Sequence, residues 1–300
     1  MTLAPGGCKF CIWNQSKPSR LSLKLNIFIM PTKAKFQKTV GLALGSGVFR
    51  GFAHIGVIKT LEKHNIPINY LSGSSIGAWA AAYYALDGNI EKLETELADK
   101  PLENLPLFFD FSLKGGLIKG RRLMVYLEKH IGHHDFSSLK IPLQIVATDL
   151  ASGRPFVFST GNLARAVRAS ISVPLVFKPV LYKGKMLVDG GLSNPVPVDL
   201  TRQMGADIVI GVNLYNQNEF VDRNFTMTKV ALRSTRIVMH NLAMVGLQQA
   251  DVAIEPDCSA FVQSSGFGKY FTRKVVSELI KIGERATEKM IPKIKNLLES

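Results

Sequence analysis

Residues 69–86 read NYLSGSSIGAWAAAYYAL, and within them Gly73-Ser74-Ser75-Ile76-Gly77 has the G-x-S-x-G spacing. That spacing marks a sharp strand-to-helix turn that presents a serine hydroxyl on a strained backbone. Of the two serines, only Ser75 has a glycine two residues away on each side. A plain tight turn would also use these residue types. Context favours the elbow: a β-leaning apolar run precedes it and an alanine-rich helix former follows. A hydroxyl at the start of that helix also meets the positive end of the helix dipole, which favours developing negative charge. The chemistry on offer is nucleophilic acyl transfer.

A nucleophilic serine needs a base. In the usual hydrolase order an acid and then a histidine follow the serine. His130, His133 and His134 cluster around the end of a charged helix, and His240 sits within a helix beside Met239 and Asn241. None follows a strand in a glycine-marked loop. His54 precedes the serine and shares a helix with core residues, so it reads as a packing or polar-network residue. The better candidate is Asp189 in "MLVDGGLSNPVP", where a short apolar strand runs into Gly190-Gly191. A carboxylate there could serve as the base directly if burial raises its pKa and it hydrogen-bonds the serine. An aspartate that merely serves a turn is the competing explanation.

A second glycine loop, "LALGSGVFRGFAHIG", places Gly45, Gly47 and Gly51 between a strand and a helix. Such loops aim backbone N–H groups at an anion. Dinucleotide binding fits poorly, because Arg50 holds the third glycine position and no carboxylate ends the next strand. An oxyanion hole for a tetrahedral intermediate is the other chemistry. A simple strand-to-helix turn stays equally open on the loop alone.

These residues need elements to hold them. A buried strand is expected at 39–47 and further strands at 67–73, 141–150, 154–160 and 206–214, with a short one leading into Asp189. Helices are expected at 52–64, 77–86, 87–100, 121–131, 162–171, 228–250 and 269–299, the last basic, amphipathic and broken near Pro292. Alternation of strand and helix implies parallel strands in one α/β domain.

The chain has 300 residues and a net charge of +14. Such a charge suits an anionic contact, whether phospholipid, acidic partner or nucleic acid. Three cysteines cannot form a disulfide framework, which points to a reducing, cytoplasmic setting. Cys8 and Cys11 form a C-x-x-C pair with no second ligand pair after it, so no metal is expected there. The basic, mixed N-terminus makes a poor secretory signal, and Met30 is a second candidate start. No apolar run is long enough to span a membrane.

Taken together, these motifs resemble the patatin-like phospholipases. The resemblance runs from about Val40 to the C-terminal helices and includes "RGFAHIGVIKTLE", "GLIKGRRL", "IPLQIVATDLASGRPFVFSTG", "AVRASISVPLVFKPV" and "VDGGLSNPVPVD". It is similar to the short bacterial members, near the catalytic region of neuropathy-target-esterase-type enzymes. The resemblance implies a three-layer α/β/α fold with a mainly parallel central sheet. It implies Ser75 as nucleophile, Asp189 as base and no catalytic histidine, metal or cofactor. Gly73 and Gly77 would form the elbow, and Gly190 and Gly191 the base loop. The loop of Gly45, Ser46, Gly47, Val48, Arg50 and Gly51 would supply the oxyanion hole. The implied reaction is hydrolysis of a lipid acyl ester through an acyl-enzyme.

The resemblance also frames three parts: an N-terminal extension over 1–36, the hydrolase domain over 37–260, and amphipathic helices packed on it over 261–300. The expected partner is a lipid substrate, with peripheral contact to an anionic membrane open and no nucleic acid. Leu107, Phe108, Phe109 and Phe111, or the basic C-terminal helix, could touch that surface; packing inside the protein is the alternative for each. The loop departs from the family's Gly-Gly-Gly-x-Arg-Gly, since Ser46 and Val48 replace two glycines. A Cβ there is expected to oppose a positive φ or crowd the substrate. A non-catalytic lipid- or partner-binding protein is therefore the alternative function.

Overall fold

The structure, a computed structural model, describes residues 38–99, 118–215, 226–262 and 272–300. Residues 36–300 make one compact unit. Cys8, Cys11, Leu107, Phe108, Phe109, Phe111 and the extension over 1–36 lie outside the described residues.

The centre is a mixed sheet. Strands β1 (Val40–Leu44), β2 (Tyr70–Ser74), β3 (Leu143–Asp149), β7 (Ile208–Val212) and β8 (Val252–Ile254) run parallel to their neighbours, in the order β3-β2-β1-β7-β8. Three antiparallel strands finish one side: β4 (Pro155–Phe158) and β6 (Lys185–Val188) on β3, and β5 (Val180–Tyr182) on β6. The sequence pattern misses β5 and β8, each of three residues, too short for any period to register.

Strand alternation sorts the core into two layers. Val40, Leu42 and Leu44 of β1, with Ile208, Ile210 and Val212 of β7, face one side. Helices α1 (Phe52–Lys63) and α2 (Ile76–Asp87) cover it. Ala43 and Val209 face the other, against α6 (Val198–Gln203) and α7 (Met227–Leu247). Burial on both faces explains why β1 and β7 read as unbroken apolar runs rather than alternating ones. Around these lie α3 (Glu91–Asp99), α4 (Arg121–Ile131), α5 (Leu163–Ser170) and α8 (Ser259–Val262).

The C-terminal segment breaks just before Pro292, as expected, into α9 (Arg273–Glu288) and α10 (Ile291–Glu299). The apolar face of α9 is spent inside the protein: Val276, Leu279 and Ile280 are buried. A Cβ on Gly56 of α1 or Gly283 of α9 would overlap the opposing helix backbone. Ile291, Ile294 and Leu298 of α10 are buried as well. Among the described residues no helix is long and apolar enough to cross a membrane.

Candidate active site

Ser75 and Asp189 are brought together by how strands end on β3. Strand β4 occupies one edge of β3 along Ile145–Thr148. On the other edge β2 pairs up to Ser74↔Val146, running parallel to β3. On that same edge β6 pairs through Val188↔Thr148, running the opposite way. Continued by one residue, both strands arrive opposite Ala147, and those residues are Ser75 and Asp189. Two strands thus meet head to head, 114 residues apart in sequence, and the Ser75 hydroxyl donates to Asp189 Oδ2 at 2.5 Å.

The elbow has the strained geometry its spacing predicts. Ser75 has φ 55 and ψ −123, and α2 begins at the next residue. The flanking glycines are steric necessities: a Cβ on Gly77 would overlap the Leu44 carbonyl, and one on Gly73 would stand 2.7 Å from the Ala78 nitrogen. The Ser75 N–H donates to Ser170 Oγ at 2.8 Å.

Asp189 is fully buried. The Gly191 N–H donates to its Oδ1 at 2.8 Å. Its own N–H donates to the Ser172 carbonyl at 3.0 Å, and its carbonyl accepts from Thr148 Oγ1 at 2.7 Å. Burial pushes the carboxyl up to about 7, against the opposing pull of the Ser75 and Gly191 hydrogen bonds. A carboxyl so placed can hold or release a proton near neutrality, which suits a general base. At Gly190 a Cβ would overlap the Val146 carbonyl and stand 2.8 Å from Ser74 Oγ, so the chain can leave β6 only as glycine.

The glycine loop from Gly45 to Gly51 divides into braced and unpaired parts. The N–H groups of Gly45, Ser46 and Arg50 already donate to the carbonyls of Val212, Pro195 and Gly47. Those three amides are already committed within the fold. The N–H groups of Gly47 and Val48 have no partner among the described residues, Gly47 capping and Val48 opening a 3-10 turn (Val48–Gly51). Gly51 is a packing position, where a Cβ would overlap Ile76.

The two departures from the glycine pattern behave differently. Val48 keeps φ 54, so its Cβ does not prevent the left-handed backbone; the loop carries the strain instead. Ser46 is buried, and its hydroxyl hydrogen-bonds Tyr215 Oη at 2.9 Å. The Arg50 guanidinium lies over the Tyr215 ring, 4.8 Å from its centroid, and its Nε donates to the Gly47 carbonyl at 2.8 Å. Tyr215 thus braces the loop from behind.

Histidine plays no visible part in the pair. His54 Nε2 meets the Gly45 carbonyl at 2.8 Å, and burial lowers its pKa to about 4, leaving a neutral ring that steadies the loop. His130 packs on Tyr126 and His134 reaches Ser138. The sequence reading missed the supports: Thr148, Ser170, Ser172, Tyr215 and Arg168, which donates to Ser172 Oγ at 2.6 Å. Ser170 and Ser172 do lie in "AVRASISVP", a stretch that carries the family resemblance but whose spacing assigns them no role.

The family model described as patatin-like phospholipase matches residues 42–202. The chain belongs to that family, and its three-layer mixed sheet is the patatin-like fold. An uncharacterized NTE family protein of Mycobacterium tuberculosis is 34% identical over 176 residues, covering 58% of this chain and 49% of the relative. The lysophospholipase nte1 of Aspergillus fumigatus is 31% identical over 182 residues, 59% of this chain and 12% of that protein. The chain thus spans about half the length of the mycobacterial relative it matches and far less of the fungal one. Among solved structures, VipD from Legionella pneumophila aligns with a TM-score of 0.47 at 14% identity, covering 85% of this chain and 67% of its own.

Proposed function

We propose that this protein is a serine acyl hydrolase that cleaves acyl esters of phospholipids, lysophospholipids or related lipids with Ser75 and Asp189 as its reacting pair. The observation that carries the reading is the buried hydrogen bond of 2.5 Å from Ser75 Oγ to a carboxyl whose pKa burial raises to about 7. Family membership and the fungal relative named lysophospholipase support the lipid class.

Ser75 Oγ attacks the acyl carbon while its proton passes to Asp189 Oδ2. The carbonyl oxygen becomes an oxyanion, and the Gly47 and Val48 N–H groups are the donors best placed to receive it. Collapse breaks the ester bond, and the proton on Asp189 goes to the departing alcohol. Water then attacks the acyl-enzyme, Asp189 takes a proton from it, and the second collapse releases the fatty acid and returns the proton to Ser75. Aspartate replaces histidine here because it is buried: an exposed carboxylate is too weak a base near neutrality.

The test is p-nitrophenol release from short and medium acyl esters, with fluorophosphonate labelling of the same samples. Activity and labelling in the wild type, both lost in Ser75→Ala, are expected. Activity that survives Ser75→Ala sinks the assignment. A binding-only protein would leave Ser75 unlabelled. The left-handed backbone retained at Val48 and the hydroxyl of Ser46 absorbed by Tyr215 favour a working loop over that alternative.

A further inference from the structure

Helix α5 ends where both members of the Ser75–Asp189 pair are held. Ser170, its last residue, accepts the Ser75 N–H on its Oγ at 2.8 Å. Just beyond the helix, the Ser172 carbonyl accepts the Asp189 N–H at 3.0 Å. Ser75 and Asp189 are 114 residues apart and arrive on strands of opposite direction. Yet one segment, from Ser170 to Ser172, takes a backbone N–H from each. Both donors are main-chain amides, so these contacts fix where the chain itself stands at each of the two residues.

That helix end is fastened in turn by one side chain. Arg168 lies in the last turn of α5 and is 6% exposed. Its Nη1 donates to Ser172 Oγ at 2.6 Å, and the Ser172 hydroxyl donates back to the Arg168 carbonyl at 2.8 Å, closing a ring across the end of the helix. Its Nη2 donates to the Lys119 carbonyl at 3.2 Å, and the guanidinium lies over the Phe177 ring, 5.1 Å from the centroid. The space is fitted to this group: at Gly120, which holds φ 71, a Cβ would stand 2.3 Å from Nη2.

No carboxylate pairs with this cation among the described residues, and burial lowers its pKa to about 10. A buried charge without a counter-ion is costly, and an apolar side chain of similar volume would serve stability as well or better. The carbonyls at a helix C-terminus offset part of that cost. What a guanidinium supplies and an apolar chain does not is a planar fork that reaches two acceptors at once.

We propose that the end of α5 is the common mount of Ser75 and Asp189, and that Arg168 is the positioning residue that locks it, acting through Ser172 and Ser170 on the two backbones. Its effect on rate rests on the Ser75–Asp189 reading; its effect on position does not. Strand pairing brings the two strand ends opposite Ala147, and the mount holds them at hydrogen-bonding separation. Arg168 itself makes no hydrogen bond to either reacting side chain.

The experiment compares wild type with Arg168→Met, which is close in volume and removes the fork. Arg168→Lys, which keeps the charge but not the double reach, is measured beside it and decides the matter should the first variant fail to fold. Amide hydrogen exchange of the full chain is followed by NMR. Exchange at Ser75 and Asp189 is expected to quicken by about tenfold or more, with Leu42 and Ile210, paired at the centre of the sheet, unchanged. On p-nitrophenyl butyrate, kcat is expected to fall by about tenfold to a hundredfold with KM held. Added to Asp189→Asn, the same substitution is expected to cost little further rate, because it acts through the pair. Unchanged exchange at Ser75 and Asp189 overturns the proposal. So does equal acceleration at all four amides, which is general loosening. An unaltered kcat overturns it as well, as does a fall in kcat of the same factor with and without the Asp189 carboxylate. If wild type has no esterase activity, local acceleration at the two amides leaves the mount standing and overturns the catalytic reading alone.

Discussion

Ser75 and Asp189 are the residues at which two strands of opposite direction end against one residue of a third, Ala147 of β3. Their hydrogen bond of 2.5 Å follows from that abutment, with the Gly191 and Ser170 contacts fixing each member separately. The pair is therefore held by the sheet itself. Its geometry should tolerate changes at the surface and respond sharply to changes at the strand ends.

Asp189→Asn should remove the base and keep the shape. The expected loss in kcat is about a thousandfold or more, with KM for a soluble ester little changed. Steady-state kinetics check this, and a loss of less than tenfold would count against a direct role for the carboxylate.

The raised pKa of Asp189 sets two opposite pH trends. With Asp189 as the proposed base, the ionised carboxylate is the active form, so kcat/KM should rise through a pH of about 7 and level off above it. Stability runs the other way. In the unfolded chain the group ionises at its ordinary, lower pKa, while in the folded protein it stays protonated up to about 7. Its contribution is therefore greatest below the unfolded pKa, falls as pH rises toward 7, and is constant above. Relative to wild type, Asp189→Asn should gain stability across that window, on the order of 4 kcal/mol, read as a difference in denaturation midpoint at pH 4 and pH 8.

Val48 holds φ 54 with a β-branched side chain. Glycine usually costs stability relative to alanine, but here the order should reverse: Val48→Gly should exceed Val48→Ala by about 1 kcal/mol. Thermal denaturation of the two variants decides the matter. Val48→Gly should also keep or raise kcat, since it frees space beside the candidate oxyanion donors.

Tyr215→Phe deletes the hydroxyl that pairs with buried Ser46. The orphaned group should cost about 1–3 kcal/mol, with kcat falling while KM holds, because the loop rather than the acyl pocket loses its brace. Adding Ser46→Gly removes the orphan and should recover part of the loss, a coupling that a double-mutant cycle measures.

Gly77→Ala would drive a Cβ into the Leu44 carbonyl. It should give little folded protein or cost at least about 3 kcal/mol. Gly88→Ala, where nothing lies within 4 Å of a Cβ, is the control; it should cost only the strain of its positive φ, about 1 kcal/mol.

By itself the sequence determined the features that local chemistry enforces. G-x-S-x-G between an apolar run and an alanine-rich helix specifies an elbow, because only glycines fit where strand and helix touch. "VDGG" specifies a carboxylate at a strand end, and the alternation of β and α segments specifies a largely parallel sheet. Short or non-local features were beyond it. The three-residue β5 and β8 carry no readable period, and nothing near Asp189 says that β6 runs antiparallel and ends opposite Ala147. Only the tertiary structure decided that Ser75 and Asp189 meet, that Gly45, Ser46 and Arg50 have already spent their amides, and that Tyr215 stands behind Ser46. Each of these depends on backbone hydrogen bonds and contacts between residues far apart in the chain, which spacing along a sequence does not encode.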